Sequence, residues 1–466
     1  MGARSQTSRG PRERADVAGS APKRAREHAP APARSTLPLA PPAGMRDLLP
    51  PDASARKRLA RAVSDSFARY GYELVTTPMF EHADVIERGL DTVDRRELLR
   101  FVDSDTGEIA LLRPDITPQI ARVVATRLAD RPPPYRLAYE GSVFRRRRGR
   151  ARRQRQIAQA GVECIGLSGP GADVEVIELA SRTLEALGLV AHRIELGLSP
   201  VARTVLTTVP EALRGEAADA LSRKDRSALE VLAERAGLRG RARATLVEMV
   251  DLWGGREVLD AARKLFPGRD AAARLDALAD VHAQLVARGL RDRLVLDLGE
   301  VRGFGYYTGP SFTLLAEGPG EALGGGGRYD DLLARFGAPF PATGFGLDLD
   351  HLEWALASAG ARIEDAGPVR VAMRGVDPRK LADVADALRS AGLVVAALPE
   401  SDDDDAALAF ARAWGYDVVV SVSARAASAR RVRDGATRKI ALGQSGRGVA
   451  ADEASAIERW ARETRG

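Results

Sequence analysis

"YRLAYEGSVFRRRRGRARRQRQIAQAGVECIG", residues 135–166, alternates side chains at both ends and carries eight arginines between positions 145 and 155. It reads as two antiparallel strands joined by a loop from about 146 to 153. Side chains alternate across a strand, so Gln159, Gly161 and Glu163 share one face, and Tyr139, Gly141, Val143 and Arg145 share a face of the partner. A buried face bearing Gln, Glu and Arg is costly unless those groups meet a ligand or each other. The stretch therefore predicts a pocket floor, with a buried Arg145–Glu163 ion pair as the purely structural alternative.

The elements on either side follow from spacing. Upstream, "DASARKRLARAVSDSFARYGY" places Leu59, Val63, Phe67 and Tyr70 at helical intervals and stops at Gly71. "YELVTTPMFEHADVI" continues as a strand broken at Pro78. "IALLRPDITPQIARVVATRLAD" is a short strand, a turn at Arg113-Pro114-Asp115 and a helix, for which Thr117 is the expected N-cap and Pro118 the first residue. Downstream lies a helix from about 172 to 187, then a mostly helical insert from about 192 to 292. The chain returns to strands through "RLVLDLGEVRGFGYYTGPSFTLLA", "EALGGGGRYDDLLARFG" and "PATGFGLDLDHLEWALASAG". Glycines 324–327 permit close backbone approach to a ligand, although a plain turn explains them as well.

Residues 361–368 read as a linker to a small α/β domain at 369–466 with a mixed sheet. The acidic run Asp402 to Asp405 fits the first turn of its second helix, where negative charge complements the helix dipole. At the other end, residues 1–44 are rich in Pro, Ala, Ser and Arg and are expected to be disordered. They carry eight Arg or Lys against three acidic residues, +5 of the chain's formal +6. The body from Met45 onward is therefore almost neutral and is not a generally basic nucleic-acid binder. The tail reads as a start-site extension or solubilising segment, with a nucleic-acid contact arm as the alternative.

A single cysteine, Cys164, excludes an internal disulfide, and no cysteine or histidine cluster suggests zinc. No run approaches the roughly 18 apolar residues of a membrane helix. A soluble, cytoplasmic protein without cofactor or metal is expected.

Taken in order, "AGMRDLLP", "LLRPDITPQIARVVA", the hairpin, "RGFGYYTG", "GGGGRYDDLLARFG" and "PATGFGLDLDHL" resemble the catalytic core of class II histidyl-tRNA synthetase over roughly residues 40–358. Within that superfamily the chain is most similar to the regulatory subunits of ATP phosphoribosyltransferase. The C-terminal segment resembles the synthetase anticodon-binding domain, especially at "AFARAWGYDVVVSV". The resemblance implies an α+β fold: a class II antiparallel sheet with flanking helices over 45–360, followed by the small α/β domain.

The same resemblance implies a histidine pocket. Asp115, Thr117 and Gln159 would hold the α-amino group, Arg145 the carboxylate, and Glu163 and Tyr307 the imidazole, with Tyr306 beside them and Arg302 matching the synthetase's catalytic arginine. A regular strand would put Arg302 and Tyr307 on opposite faces, so a bulge at Gly303 or Gly305 is needed. The nucleotide machinery looks damaged. Arg147 stands where motif 2 carries a glutamate, and His351 stands in the motif 3 segment that carries an arginine. Gly305 also replaces an aspartate that synthetases carry before the paired tyrosines.

That combination points to a regulatory subunit without chemistry of its own. It would sense histidine for the short catalytic subunit of ATP phosphoribosyltransferase and assemble as a homodimer within a hetero-oligomer. The alternative is a histidyl-tRNA synthetase. Binding of tRNA is not expected, and the arginine run reads as a solvated loop inherited from a nucleotide-binding ancestor.

Overall fold

Leu59, Val63 and Phe67 recur on one helical face, and the helix they predict, α1 (Asp52–Ala68), buries all three. Gly71 follows at φ +78°, a left-handed stop that glycine adopts without steric cost. The computed structural model describes residues 39–89, 98–145, 154–300, 307–361, 367–398, 403–423, 426–442, 449 and 452–463. Contacts divide the chain at Pro41, and everything below concerns the unit Pro42–Gly466.

After α1 come β1 (Glu73–Leu74), β2 (Phe80–His82), α2 (Ala83–Gly89), β3 (Leu99–Val102), β4 (Ile109–Leu112) and α3 (Thr117–Arg127). The hairpin is β5 (Tyr135–Phe144) and β6 (Gln156–Ile165), followed by α4 (Pro170–Ala186) and β7 (Arg193–Gly197). The helical insert holds α5 (Ser199–Thr207), α6 (Glu211–Ser222), α7 (Arg226–Arg235), α8 (Gly240–Glu248), the short β8 (Trp253–Gly254), α9 (Glu257–Leu265) and α10 (Arg269–Ala287). Then β9 (Leu294–Asp297), β10 (Ser311–Leu315), β11 (Gly324–Arg328), β12 (Ala342–Asp348) and α11 (Leu349–Ser358) complete the large domain.

Nine strands form one sheet in the order β1-β5-β6-β12-β11-β10-β7-β9-β8. It is antiparallel except at the β1/β5 and β7/β9 pairs. Alternation along β6 divides its residues between two environments. Ala160, Val162 and Cys164 join Phe67 and residues of α4 and α11 in the main core. Phe67 meets Phe345 edge to face at 5.5 Å, and full burial of such a side chain contributes about 1.5–3 kcal/mol. Ile157 and Ile165 pack in a second cluster with Ile116, Ile120, Tyr139 and Tyr329, on the side from which α3 approaches.

Four expectations change. Residues 83–89 are helical: β1 stops at Leu74, and the chain re-enters as the short β2 before α2. The insert begins at Ser199 rather than 192, since Arg193–Gly197 pairs with β10 and β9 inside the sheet. Glycines 324–327 are neither a turn nor a bend but part of β11, paired on both sides. A Cβ on Gly326 would lie 2.0 Å from the Gly344 carbonyl, so close strand approach excludes side chains there. Thr117 does not cap α3; the N-cap is Ile116, without a side-chain bond.

The C-terminal domain contains β13 (Arg370–Gly375), α12 (Pro378–Ser390), β14 (Val394–Ala397), α13 (Asp404–Ala413), β15 (Val418–Val422), β16 (Ala427–Arg431), β17 (Thr437–Ile440) and α14 (Glu453–Arg462). Its sheet, β14-β13-β15-β16-β17, is parallel at β14/β13/β15 and antiparallel beyond, a mixed sheet as the sequence predicts. Asp403 caps α13 through the Asp405 and Ala406 amides, and Asp404 and Asp405 occupy its first turn.

Candidate functional site

The hairpin register sets Tyr139 opposite Gly161, Gly141 opposite Gln159 and Leu137 opposite Glu163. On the other flank of β6, Gly344 and Gly346 face Glu163 and Gly161. These glycines clear the floor of a cleft of about 730 Å³. A Cβ at Gly344 would meet Glu163 Oε2 at 1.9 Å, and one at Gly161 would meet the Tyr139 hydroxyl at 2.4 Å.

Asp115, Thr117, Arg145, Gln159, Glu163 and Tyr307 all line this cleft. Arg302 and Tyr306 lie outside the described residues, as do Arg147, Gly303, Gly305 and the loop 146–153. The Arg113-Pro114-Asp115 turn is held from beneath, where Arg113 donates to the Thr77 carbonyl at 3.0 Å, to Thr77 Oγ1 at 2.8 Å and to the Ser142 carbonyl at 2.8 Å. Asp115 Oδ1 then accepts from the Ile116 amide at 2.9 Å and from Gln159 Nε2 at 3.2 Å. Arg145 donates to the Pro114 carbonyl at 2.5 Å, and its guanidinium lies 3.9 Å from Asp115.

The anticipated Arg145–Glu163 ion pair is not what holds Glu163. This carboxylate is 1% exposed and accepts from Thr117 Oγ1 at 2.6 Å and from the Tyr329 hydroxyl. Thr117 is the first residue inside the helix rather than its cap, and its hydroxyl points at Glu163. Burial pushes the Glu163 carboxyl well above the usual carboxylate range; the Thr117 hydrogen bond opposes the shift and the Asp115 charge adds to it. Two buried carboxyl groups so disposed favour a cationic ligand group between them.

Tyr329 escaped the sequence reading. The available signal was its position: it directly follows the glycine strand, in "GGGGRYDD", where a cleared floor ends in polar residues. Arg328 beside it is structural, donating to Asp173 at 2.9 Å and to the Leu167 and Gly169 carbonyls.

The other lobe of the cleft is acidic. Glu195, Asp219, Asp297, Glu300, Glu321 and Asp348 line it. Glu195, Asp297 and Glu300 bring ligand oxygens within 4.8 Å of one another, the one grouping among the described residues that could hold a metal ion. Asp297 is already paired with Lys224 at 2.5 Å. In the motif 3 segment, Arg56 binds Asp350 at 2.6 Å, and His351 Nδ1 donates to the Ala322 carbonyl at 2.7 Å. A triphosphate placed here would meet carboxylates in a partly desolvated cleft, where like charges repel strongly.

Comparison with known proteins identifies the family and the fold. A family profile described as histidyl-tRNA synthetase matches residues 44–352. An ATP phosphoribosyltransferase regulatory subunit of Anaeromyxobacter dehalogenans is 43% identical over 344 residues, 73% of this chain and 97% of that protein. One from Moorella thermoacetica is 42% identical over 387 residues, 82% and 98% of the two chains. A crystal structure described as an ATP phosphoribosyltransferase regulatory subunit/histidyl-tRNA synthetase, from Bacillus halodurans, matches with TM-score 0.70 at 27% identity, over 84% of this chain and 99% of that one. A histidyl-tRNA synthetase from Nostoc matches in fold, with TM-score 0.72 at 21% identity, over 91% and 100%.

Proposed function

This chain belongs to the family of ATP phosphoribosyltransferase regulatory subunits, which share the histidyl-tRNA synthetase-like class II fold, and on that premise we propose that it senses histidine for a separate catalytic subunit without performing chemistry itself. The partner is the short catalytic subunit, which joins ATP to phosphoribosyl pyrophosphate in the first step of histidine biosynthesis. One observation supports the reading: a single cleft is lined by Asp115, Thr117, Gln159, Glu163 and Tyr307, which would take the amino acid, and by further carboxylates where a nucleotide would lie. Gln159 Oε1 is buried with no hydrogen-bond partner among the described residues, an acceptor suited to a ligand ammonium. Arg145, at the edge of the same lobe, suits the ligand carboxylate.

The test is histidine-dependent exchange of pyrophosphate into ATP by the purified chain. None is expected, because Arg147 and His351 stand where synthetases carry the motif 2 glutamate and the motif 3 arginine. Exchange at rates typical of synthetases would replace this reading with the histidyl-tRNA synthetase one.

The chain works as a homodimer within the complex. Phe80, Phe101, Val102 and Ile109 stand exposed on the small sheet β2-β4-β3, with the two phenyl rings edge to face at 5.4 Å. The exposed Phe80–Phe101 pair suits a protein interface, while Val102 and Ile109 lie on the opposite face of the sheet. No helix among the described residues is long and apolar enough to cross a membrane.

The C-terminal domain is a structural relic in this reading. Residues 369–466 carry 16 Arg or Lys against 14 Asp or Glu, too balanced to grip a phosphate backbone. Deleting the domain is expected to leave the histidine dissociation constant unchanged in calorimetry. Submicromolar tRNA binding at physiological salt, abolished by the deletion, would show that the domain still reads RNA.

A further inference from the structure

We propose that the helical insert clamps the backbone on both sides of residues 301–306, and that Arg203, Lys224 and Arg274 are thereby positioning residues for the amino-acid lobe. The identity of the ligand rests on the histidine reading above; the clamp itself rests on contacts between the insert and the sheet.

On the near side, β9 ends at Asp297, which is 3% exposed. Its Oδ1 accepts from the Gly299 amide at 3.0 Å and from Lys224 Nζ at 2.5 Å. Ser222, at the end of α6, donates to Glu300 at 3.4 Å. On the far side, Arg203 of α5 donates to the carbonyl of Tyr307, and Arg274 of α10 donates to the carbonyl of Thr308 at 2.5 Å. Thr308 is also tied to the strand that presents Tyr329. Its amide donates to the Arg328 carbonyl at 2.7 Å and its hydroxyl accepts from the Asp330 amide at 2.9 Å. Two arginines of the insert thus fix the backbone beside Tyr307, whose side chain lines the cleft, and Lys224 holds Asp297 on the near side.

Lys224 carries the argument beyond ordinary packing. Its φ is 56°, and it is the one non-glycine residue with positive φ among the described residues. It sits two residues past Ser222, the place after a helix where glycine is favoured because left-handed backbone costs other residues about 1–2 kcal/mol. A lysine there accepts backbone strain, and its amine reaches a buried carboxylate in the cleft. Strain held where a side chain meets a site points from geometry to function. The two arginines bind carbonyls, so they set where the Tyr307 strip lies whatever its side chains are. Charge-assisted bonds of this type are among the stronger ones available.

The discriminating variant is Lys224→Gly in the full-length chain, because glycine removes the amine and also relieves the backbone. Calorimetric titration with histidine is expected to show affinity reduced about tenfold, with a lowered thermal midpoint because the buried Asp297 loses its cation. Lys224→Arg is expected to retain parental affinity, and Arg274→Ala to lose it to a similar degree. Hydrogen exchange on the unliganded chain supplies a readout independent of the ligand: the Gly299 amide should exchange faster in Lys224→Gly, and the Thr308 amide faster in Arg274→Ala. Parental exchange at both amides would overturn the clamp whatever the pocket binds. Parental histidine affinity in Lys224→Gly and Arg274→Ala would overturn their positioning role. Faster exchange in a chain that never bound histidine would uphold the clamp and remove the histidine reading instead.

Discussion

Replacing Glu163 with alanine is expected to weaken histidine binding at least about 100-fold, because losing one partner of a buried charged contact costs about 3–5 kcal/mol and each 1.4 kcal/mol is a factor of ten. The carboxylate has no route to water, being 1% exposed, and its oxygens accept from Thr117 and Tyr329. Removing it leaves these hydroxyls facing a void, and a cationic ligand group would have only Asp115 to answer it. Gly344 cannot compensate, since the floor beneath Glu163 has no side chain to move. Calorimetry on the purified chain measures the effect. An unchanged dissociation constant would place histidine elsewhere.

The second large effect is on stability. Arg328→Met is expected to destabilise the large domain by about 3–5 kcal/mol, because it leaves the Asp173 carboxylate buried without its cation. Both side chains are nearly inaccessible, at 7% and 5%, and the guanidinium binds Asp173, Asp330 and the Leu167 and Gly169 carbonyls. Few single residues join so many segments: β11, the start of α4 and the loop before it. Burial raises the Asp173 carboxyl, with the Arg328 charge working against it, so the pair is held in balance by geometry. Denaturant unfolding of parent and variant measures the loss. A difference below about 1 kcal/mol, the range of exposed ion pairs, would show that the contact contributes little.

What could be read from the sequence was what obeys a local period. Strand alternation in the hairpin put Gln159, Gly161 and Glu163 on one face and Tyr139 and Gly141 opposite, and the register pairs Gly141 with Gln159 and Tyr139 with Gly161. The helix α1 followed from apolar spacing in the same way, and α3 from Pro118 at its start. Long-range competition stayed hidden. Thr117 has the chemistry of a helix cap, but the helix starts one residue earlier and the hydroxyl donates to Glu163, 46 residues away. Four consecutive glycines have no strand preference of their own, and only the neighbours β10 and β12 make them β11. Tyr329 and the Lys224–Asp297 pair belong to the same class: each depends on where the sheet brings distant segments together, which no window of sequence reports.

The measurement that bears most directly on the proposed role is histidine inhibition of phosphoribosyl transfer by the complex reconstituted with the short catalytic subunit, comparing parent and Glu163→Ala. If the pocket is the sensor, histidine and the catalytic subunit share a coupling free energy of about 1–3 kcal/mol through this chain. The variant complex should then assemble and turn over as the parent does, yet stay active at histidine concentrations that silence the parent. Superimposable inhibition curves, from a variant that has lost histidine binding, would put the regulatory site on the catalytic subunit and contradict the account.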